Sequence, residues 1–268
     1  MQKKRPKVSY VIPCFNQGKF LESAIDSVLK SYTGPKQVVV VNDCSDDRET
    51  LNVLQRLSGF HPDVTIINND KNLGLSAARN LGIRMSLGKY IQLLDADDVI
   101  LYNKVEYQIK HFNISSNLGV SISDFRISDE NLQNSYSFPK ENNYLNFSWQ
   151  DFYFRWESEF IIPIHAALFA REVFDNHQFD ETLKGKEDWV FWSTLTKNSV
   201  EIKLAYLPFL GAVYRRHDNA MTEKNTEDMG VAWLQAGRIL EKELSSEHKE
   251  SFREYYNYWF TYHYRADC

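Results

Sequence analysis

The sequence predicts an α/β protein with a mostly parallel central sheet and helices on both faces. Three observations predict it. Short apolar strands alternate with amphipathic helices through residues 7–94 of a 268-residue chain, the pattern of parallel sheets whose crossovers are helices. One strand, QVVVVN at 37–42, is a near-continuous apolar run, as a strand buried on both faces should be. A polar residue follows each strand, namely Asn16, Asp43, Asn72 and Asp95. Ligands of such sheets bind along that rim, at the carboxyl ends of the strands.

The elements follow in order. Residues 7–14 (KVSYVIPC) read as the first strand. In 19–31, Phe20, Ala24, Ile25, Val28 and Leu29 make a helical apolar face. The second strand, 37–42, ends at Asp43. Asp46 and Asp47 then stand where a helix can be capped, ahead of Leu51, Val53, Leu54 and Leu57, with Asp46 the expected cap. Residues 63–68 are a third strand, 75–87 a third helix and 90–94 (YIQLL) a fourth strand. After about residue 115 the alternation fades. Residues 128–148, rich in Asn, Ser and Glu, read as a surface loop. Residues 160–174 mix apolar runs with His165, 185–197 form a helix from about Glu187, and 202–214 look like strands. From about 226 the chain is helical and ends in the aromatic run YYNYWFTYHY, 255–264.

Hydrophobic residues make up 43% and charged residues 25%, with a net charge of -5. This balance argues against a general nucleic-acid binder while allowing a local basic pocket for phosphate. Three cysteines do not make a disulfide framework, so a reducing, cytoplasmic setting is the simpler expectation. The N-terminal apolar stretch is short and holds Pro13, a poor signal peptide. No stretch is apolar for long enough to span a bilayer as a helix.

Five short stretches carry chemistry, each with a plain structural alternative. In Asp95-Ala96-Asp97-Asp98, apolar residues run straight into three acids. Oxygen ligands of this kind suit Mg2+ or Mn2+ shared with substrate phosphates; the alternative is capping of the next helix, a role Asp98 alone suits. Asp43 could accept from a base or ribose, or close an Asx-turn. In NLGLSAARNLGI, 72–83, Gly74 permits a positive φ, and Arg79 sits in a helix of small residues where it could reach a phosphate or an acid, or form a surface salt bridge. Glu187 and Asp188 begin a helix beside Trp189 and Trp192; they suit general-base chemistry or first-turn capping. Arg215, Arg216 and His217 follow a strand and could bind phosphate or metal, or form a solvated loop. His165 reads as a core histidine, and the final aromatic run as helix core or subunit contact ahead of a membrane foot.

Taken together and in order, VIPCFN, VNDCSDD, NLGLSAARNLGI, LLDADD, KEDW and YRRH resemble the family 2 glycosyltransferases with the GT-A fold. The likeness runs from about residue 7 to about 220 and implies inverting transfer of a sugar from a nucleotide-diphosphate sugar, usually UDP-linked, to an acceptor hydroxyl. It implies that Pro13 and Asn16 shape the first nucleotide loop, that Asp43 accepts from the base, and that Asn72, Gly74 and Arg79 border the nucleotide. Asp95, with Ala96 beside it, would hold the ribose or sugar side. Asp97 would bind a Mn2+ or Mg2+ ion bridging the diphosphate, with His217 completing the metal site, and Arg215 or Arg216 would offset the developing charge. Asp188 would be the general base with Glu187 its neighbour, and His165 and Trp189 would lie near a glycan or lipid-linked acceptor.

The implied division is a GT-A domain over 1–225, with a nucleotide-binding half at about 7–115 and an acceptor half at about 116–225, followed by a helical extension at 226–268. The extension could pair two subunits or touch the inner face of a membrane. Two other readings compete. DADDV also fits an aspartyl-phosphate phosphatase of the haloacid-dehalogenase type, with Asp95 as nucleophile, although three strand–helix units precede it where that motif should open the domain. A nucleotide-sugar binding module without catalysis is the other.

Overall fold

The computed structural model describes residues 5–59, 61–137, 147–198, 201–218, 220 and 226–264. Three strand–helix units and a fourth strand open the chain: β1 (Val8–Cys14), α1 (Gly18–Ser31), β2 (Lys36–Asn42), α2 (Arg48–Leu57), β3 (Val64–Asn68), α3 (Leu75–Met85) and β4 (Tyr90–Leu93). β2 lies parallel between β1 and β3, and β4 pairs parallel with the other side of β1. Val38 to Val41 and Tyr10 to Ile12 have no exposed surface, the consequence of helices covering both faces.

The second half builds onto this sheet with mixed directions. It comprises β5 (Val99–Ile100), α4 (Lys104–Ile114), β6 (Leu118–Ser128), β7 (Ser135–Ser137), α5 (Trp149–Phe154), β8 (Ala167–Ala170), α6 (Glu187–Asn198) and β9 (Lys203–Arg215). The sheet order is β3-β2-β1-β4-β8-β6-β9-β5, with β7 on the side of β6. β8 runs antiparallel to both β4 and β6, whereas β9 runs parallel to β6. The apolar stretch after residue 202 is one long strand, bent by register shifts against β6. Of the segment read as a surface loop, β6 and β7 take the start, and 138–146 lie outside the described residues.

Local chemistry adjusts two helix ends. Asp47, not Asp46, caps α2, accepting from the Thr50 N–H at 2.8 Å; Asp46 is held by Asn16 instead. Asp47→Ala is expected to lose about 1 kcal/mol of stability, read as a lower urea midpoint. α3 stops at Met85 rather than 87 because the Ser86 hydroxyl turns back onto the Gly82 carbonyl at 2.8 Å.

The chain closes with a helical hairpin, α7 (Thr226–Glu243) and α8 (Ser246–Tyr264). The Trp233 ring lies flat on Trp189 of α6, centroids 4.3 Å apart, and its indole N–H donates to the Tyr256 carbonyl at 2.8 Å. Phe252 and Tyr256 are buried in the same core as α5 and α6, while Tyr258 and Tyr262 face outward. The hairpin therefore shares the core of the second half. Among the described residues no helix is long and apolar enough to cross a membrane.

Candidate active site

The loops after β1, β2 and β4 meet along one edge of the sheet. Asn16, at φ 54, ties two of them together: its side-chain carbonyl accepts from the Asp46 N–H at 3.0 Å and its amide donates to the Asp46 carboxylate at 2.7 Å. Pro13 lies opposite Val41 in the β1–β2 ladder, just below this junction.

Asp43 is 3% exposed and organises the next loop. One oxygen accepts from the Asn69 amide at 2.7 Å, the other from the Gly74 N–H at 2.7 Å, and both lie within reach of the Leu73 N–H. Asn72 also accepts from Gly74 N–H at 3.1 Å, and Gly74 takes a φ of 93° that a side chain would resist. In this geometry Asp43 sets the shape of the 69–74 loop that leads into α3.

Arg79 is the central cation. It is 2% exposed, and its guanidinium lies 5.2 Å from the Phe179 ring. One terminal nitrogen donates to both oxygens of Asp95 at 2.7 and 2.9 Å, and the other donates to Glu187 at 2.6 Å. The guanidinium thus faces two acids, not open space. It links the end of β4 to the first turn of α6, which carries Asp188. Small neighbours on α3, such as Ala77, Ala78 and Gly82, let that helix lie close to the sheet.

Asp97 and His217 face each other, with the imidazole Nε2 3.2 Å from the carboxylate. The other ring nitrogen of His217 is buried with no hydrogen-bond partner among the described residues. Among those residues, no three His, Cys, Asp or Glu side chains converge into a ready-made cage. Two side-chain donors at the rim fit an ion of the Mg2+ or Mn2+ type, which keeps water and substrate phosphate as its other ligands.

Asp98, Trp189 and Arg215 have different surroundings from those anticipated, whereas His165 lies in the core as its sequence reads. Asp98 caps no helix; α4 begins after Asn103. Instead Asp98, 1% exposed, accepts from the Arg215 N–H at 2.7 Å and faces His165 Nδ1 at 3.0 Å. Burial pushes its carboxyl above the usual range, and the histidine works against that rise. His165, also 1% exposed, faces Asp98 rather than the rim, which accounts for its place in the core. Trp189 is fully buried, donating to the Phe152 carbonyl at 2.8 Å. Arg215 spends its guanidinium on the Asp97 carbonyl at 2.6 Å and the Glu130 carbonyl at 2.7 Å, so it braces the Asp97 loop from behind. Arg216 is the exposed member of the pair and reaches the Tyr136 hydroxyl at 3.3 Å.

Asp188 lies beside Glu187 at the head of α6, one carboxylate oxygen accepting from the Trp189 N–H at 2.7 Å. Burial, with Glu187 and Glu157 nearby, pushes its carboxyl up to about 7, while Lys186 and Arg79 act against the rise. Glu157 and Lys186 were not singled out from the sequence. Lys186 directly precedes the acidic pair and could have been suspected. Glu157 lies 29 residues before it in a loop with no motif, and only the fold brings the two together.

A family model described as Glycosyl transferase family 2 matches residues 9–178. An uncharacterized glycosyltransferase, MJ1057, of Methanocaldococcus jannaschii is 24% identical over 75% of this chain and 68% of its own length. A chondroitin synthase of Escherichia coli is 31% identical over 51% of this chain and 20% of its own length. Three Rickettsia glycosyltransferases are matched over only 27 to 31% of their lengths. Among solved structures, S. aureus TarS 1–349 in complex with UDP-GlcNAc superposes with a TM-score of 0.69 at 18% identity, over 92% of this chain and 70% of that one. A mannosyltransferase of Pyrobaculum calidifontis in complex with GDP-Man and Mn2+ gives 0.63 at 18% identity, over 93% and 69%. The parallel half-sheet, its rim of acids and these likenesses lead to one assignment: the chain belongs to glycosyl transferase family 2 and carries the GT-A fold.

Proposed function

We propose that this enzyme transfers a sugar with inversion from a UDP-linked donor to a hydroxyl of a glycan or lipid-linked acceptor, on the cytoplasmic side. The observation that carries the reading is the Arg79 bridge. It sets the donor-side acid, Asp95, against the helix that bears Asp188. The TarS complex with UDP-GlcNAc supports a UDP-linked donor, and the likeness to chondroitin synthase supports a glycan product.

In this reading Pro13, Asn16, Asp43, Asn72 and Gly74 shape the nucleotide cleft, and Asp95 and Ala96 border the ribose and sugar. Asp97 and His217 would hold a divalent ion, which would offset the negative charge growing on the departing diphosphate. The Mn2+ held by the P. calidifontis mannosyltransferase supports that assignment. Arg215 steadies the Asp97 loop through the main chain, and Arg216, exposed beside Tyr136, would face the phosphates. Asp188 takes the proton of the acceptor hydroxyl as it attacks the anomeric carbon from the face opposite the nucleotide. A base at about 7 is matched to that task near neutral pH. His165 and Trp189 support the site from the core. The acceptor half, about 116–225, and the hairpin from 226 would together frame the acceptor.

The stereochemistry tests this directly. Incubated with α-linked UDP-sugars, the enzyme should release the β-anomer first when water acts as acceptor, as seen by proton NMR before mutarotation. First release of the α-anomer would overturn the inverting mechanism. The rate of release should climb as pH rises through about 7, where Asp188 ionises. A flat profile from pH 5 to about 8 would remove Asp188 as the titrating base.

A further inference from the structure

Two residues before Asp188, Lys186 enters an ion pair with an uncommon backbone. Lys186 and Glu157 both occupy the left-handed region, at φ 59 and 58, where a residue with a side chain pays about 1 kcal/mol. Their side chains nonetheless meet, Lys186 Nζ donating to Glu157 at 2.6 Å. The lysine side chain is 9% exposed, and its ammonium lies 5.6 Å from the centre of the Trp233 ring.

The C-terminal hairpin builds this seat. Trp233 of α7 provides the ring under the ammonium. Tyr255 of α8 donates its hydroxyl to the Trp156 carbonyl at 2.6 Å, next to Glu157, whose own N–H is fixed on the Phe160 carbonyl at 2.8 Å. Tyr264 and His263, at the end of α8, also act on Lys186 electrostatically.

The charges around Asp188 come from several elements. Glu187 on α6 and Glu157 before β8 oppose its ionisation, and Lys186, just before α6, and Arg79, on α3, favour it. Lys186 in turn faces Glu157, Asp188 and Tyr264, and His263 faces Glu157 and Lys186.

We infer that Lys186, held by Glu157, seated over Trp233 and two residues before Asp188, is a positioning residue for the transfer: its positive charge offsets the acids around Asp188. The inference rests on Asp188 being the general base. It gives the hairpin a role in the chemistry without any contact to substrate. Removing the lysine takes away one of the two cations that oppose Glu187 and Glu157 at Asp188. Removing the charge of Glu157 does the reverse.

The test is carboxyl titration of the full chain by carbon-13 NMR with labelled aspartate, the Asp188 signal being the one lost in Asp188→Asn. Lys186→Met should move its midpoint up by about one pH unit, and Lys186→Arg should bring it back. Glu157→Gln, which still offers the lysine an acceptor, should move it down. Opposite displacements are the signature, since loss of a purely structural ion pair would loosen both variants alike. An unmoved midpoint, or displacement in one direction by both variants, would overturn the inference. If Lys186→Met does not fold, Glu157→Gln and Lys186→Arg decide the matter. The base reading fails separately: full turnover of UDP-sugars by Asp188→Asn would sink it. An inactive Asp188→Asn beside an unmoved titration would sink only the role of Lys186.

Discussion

Asp188→Asn is expected to lower sugar transfer about a thousandfold while leaving binding of UDP close to that of the unaltered enzyme. The amide keeps the shape of the carboxylate and its contact with the Trp189 N–H, but it cannot take a proton. Stability should move the other way. The folded state raises this carboxyl from its ordinary 3.8 to about 7, so between those pH values the folded chain holds a proton that the unfolded chain has released. Stability from this group is present below the lower value and is lost as pH rises through the upper one. The asparagine variant avoids that loss, so its melting temperature at pH 8 should exceed that of the unaltered enzyme. The pair of measurements is turnover of UDP-sugars and a thermal melt at two pH values. An active variant, or one less stable at pH 8, would contradict this account of Asp188.

Arg79→Leu should cost about 3–5 kcal/mol of stability at neutral pH. Leucine restores much of the volume, so the loss would come from charge. Glu187, 5% exposed, and Asp95 would be left facing each other without the cation that joins them. Arg79→Lys should recover only part of this, because an ammonium lacks the flat fork that reaches both carboxylates at once. Urea unfolding of the three proteins measures it; a loss under about 1 kcal/mol for Arg79→Leu would mean that the bridge is weak.

Much of the fold was legible because the first half speaks in simple patterns. The β2 run of valines and the polar residue after each strand gave the parallel half-sheet and its rim. The second half was harder to read. β8 is short and antiparallel, and its partners are far away in sequence, so no local period announces it. The site divided along the same line. Asp95, Asp97 and the Glu187–Asp188 pair stand out as acids at the ends of apolar segments. Their partners do not, since Arg79 reaches Glu187 across 108 residues and His217 meets Asp97 across 120. The interior role of Asp98 was hidden for that reason. An acid before a helix looks like a cap until the fold brings His165 beneath it. Lys104 was hidden too, a fully buried lysine held by Gln92 at 2.6 Å and Gln108 at 2.9 Å. Burial drives its ammonium well below the ordinary range. Nothing in the surrounding sequence separates it from a surface lysine.

In the proposed reading, the rim of acids binds a nucleotide diphosphate through a divalent ion held by Asp97. Calorimetric titration of UDP with and without Mn2+, on the unaltered chain and on Asp97→Ala, decides it. Binding to the unaltered chain should depend on Mn2+ and be weakened at least about tenfold in the variant, a loss of about 1.4 kcal/mol or more. Equal titrations from the two proteins in the presence of Mn2+ would contradict it.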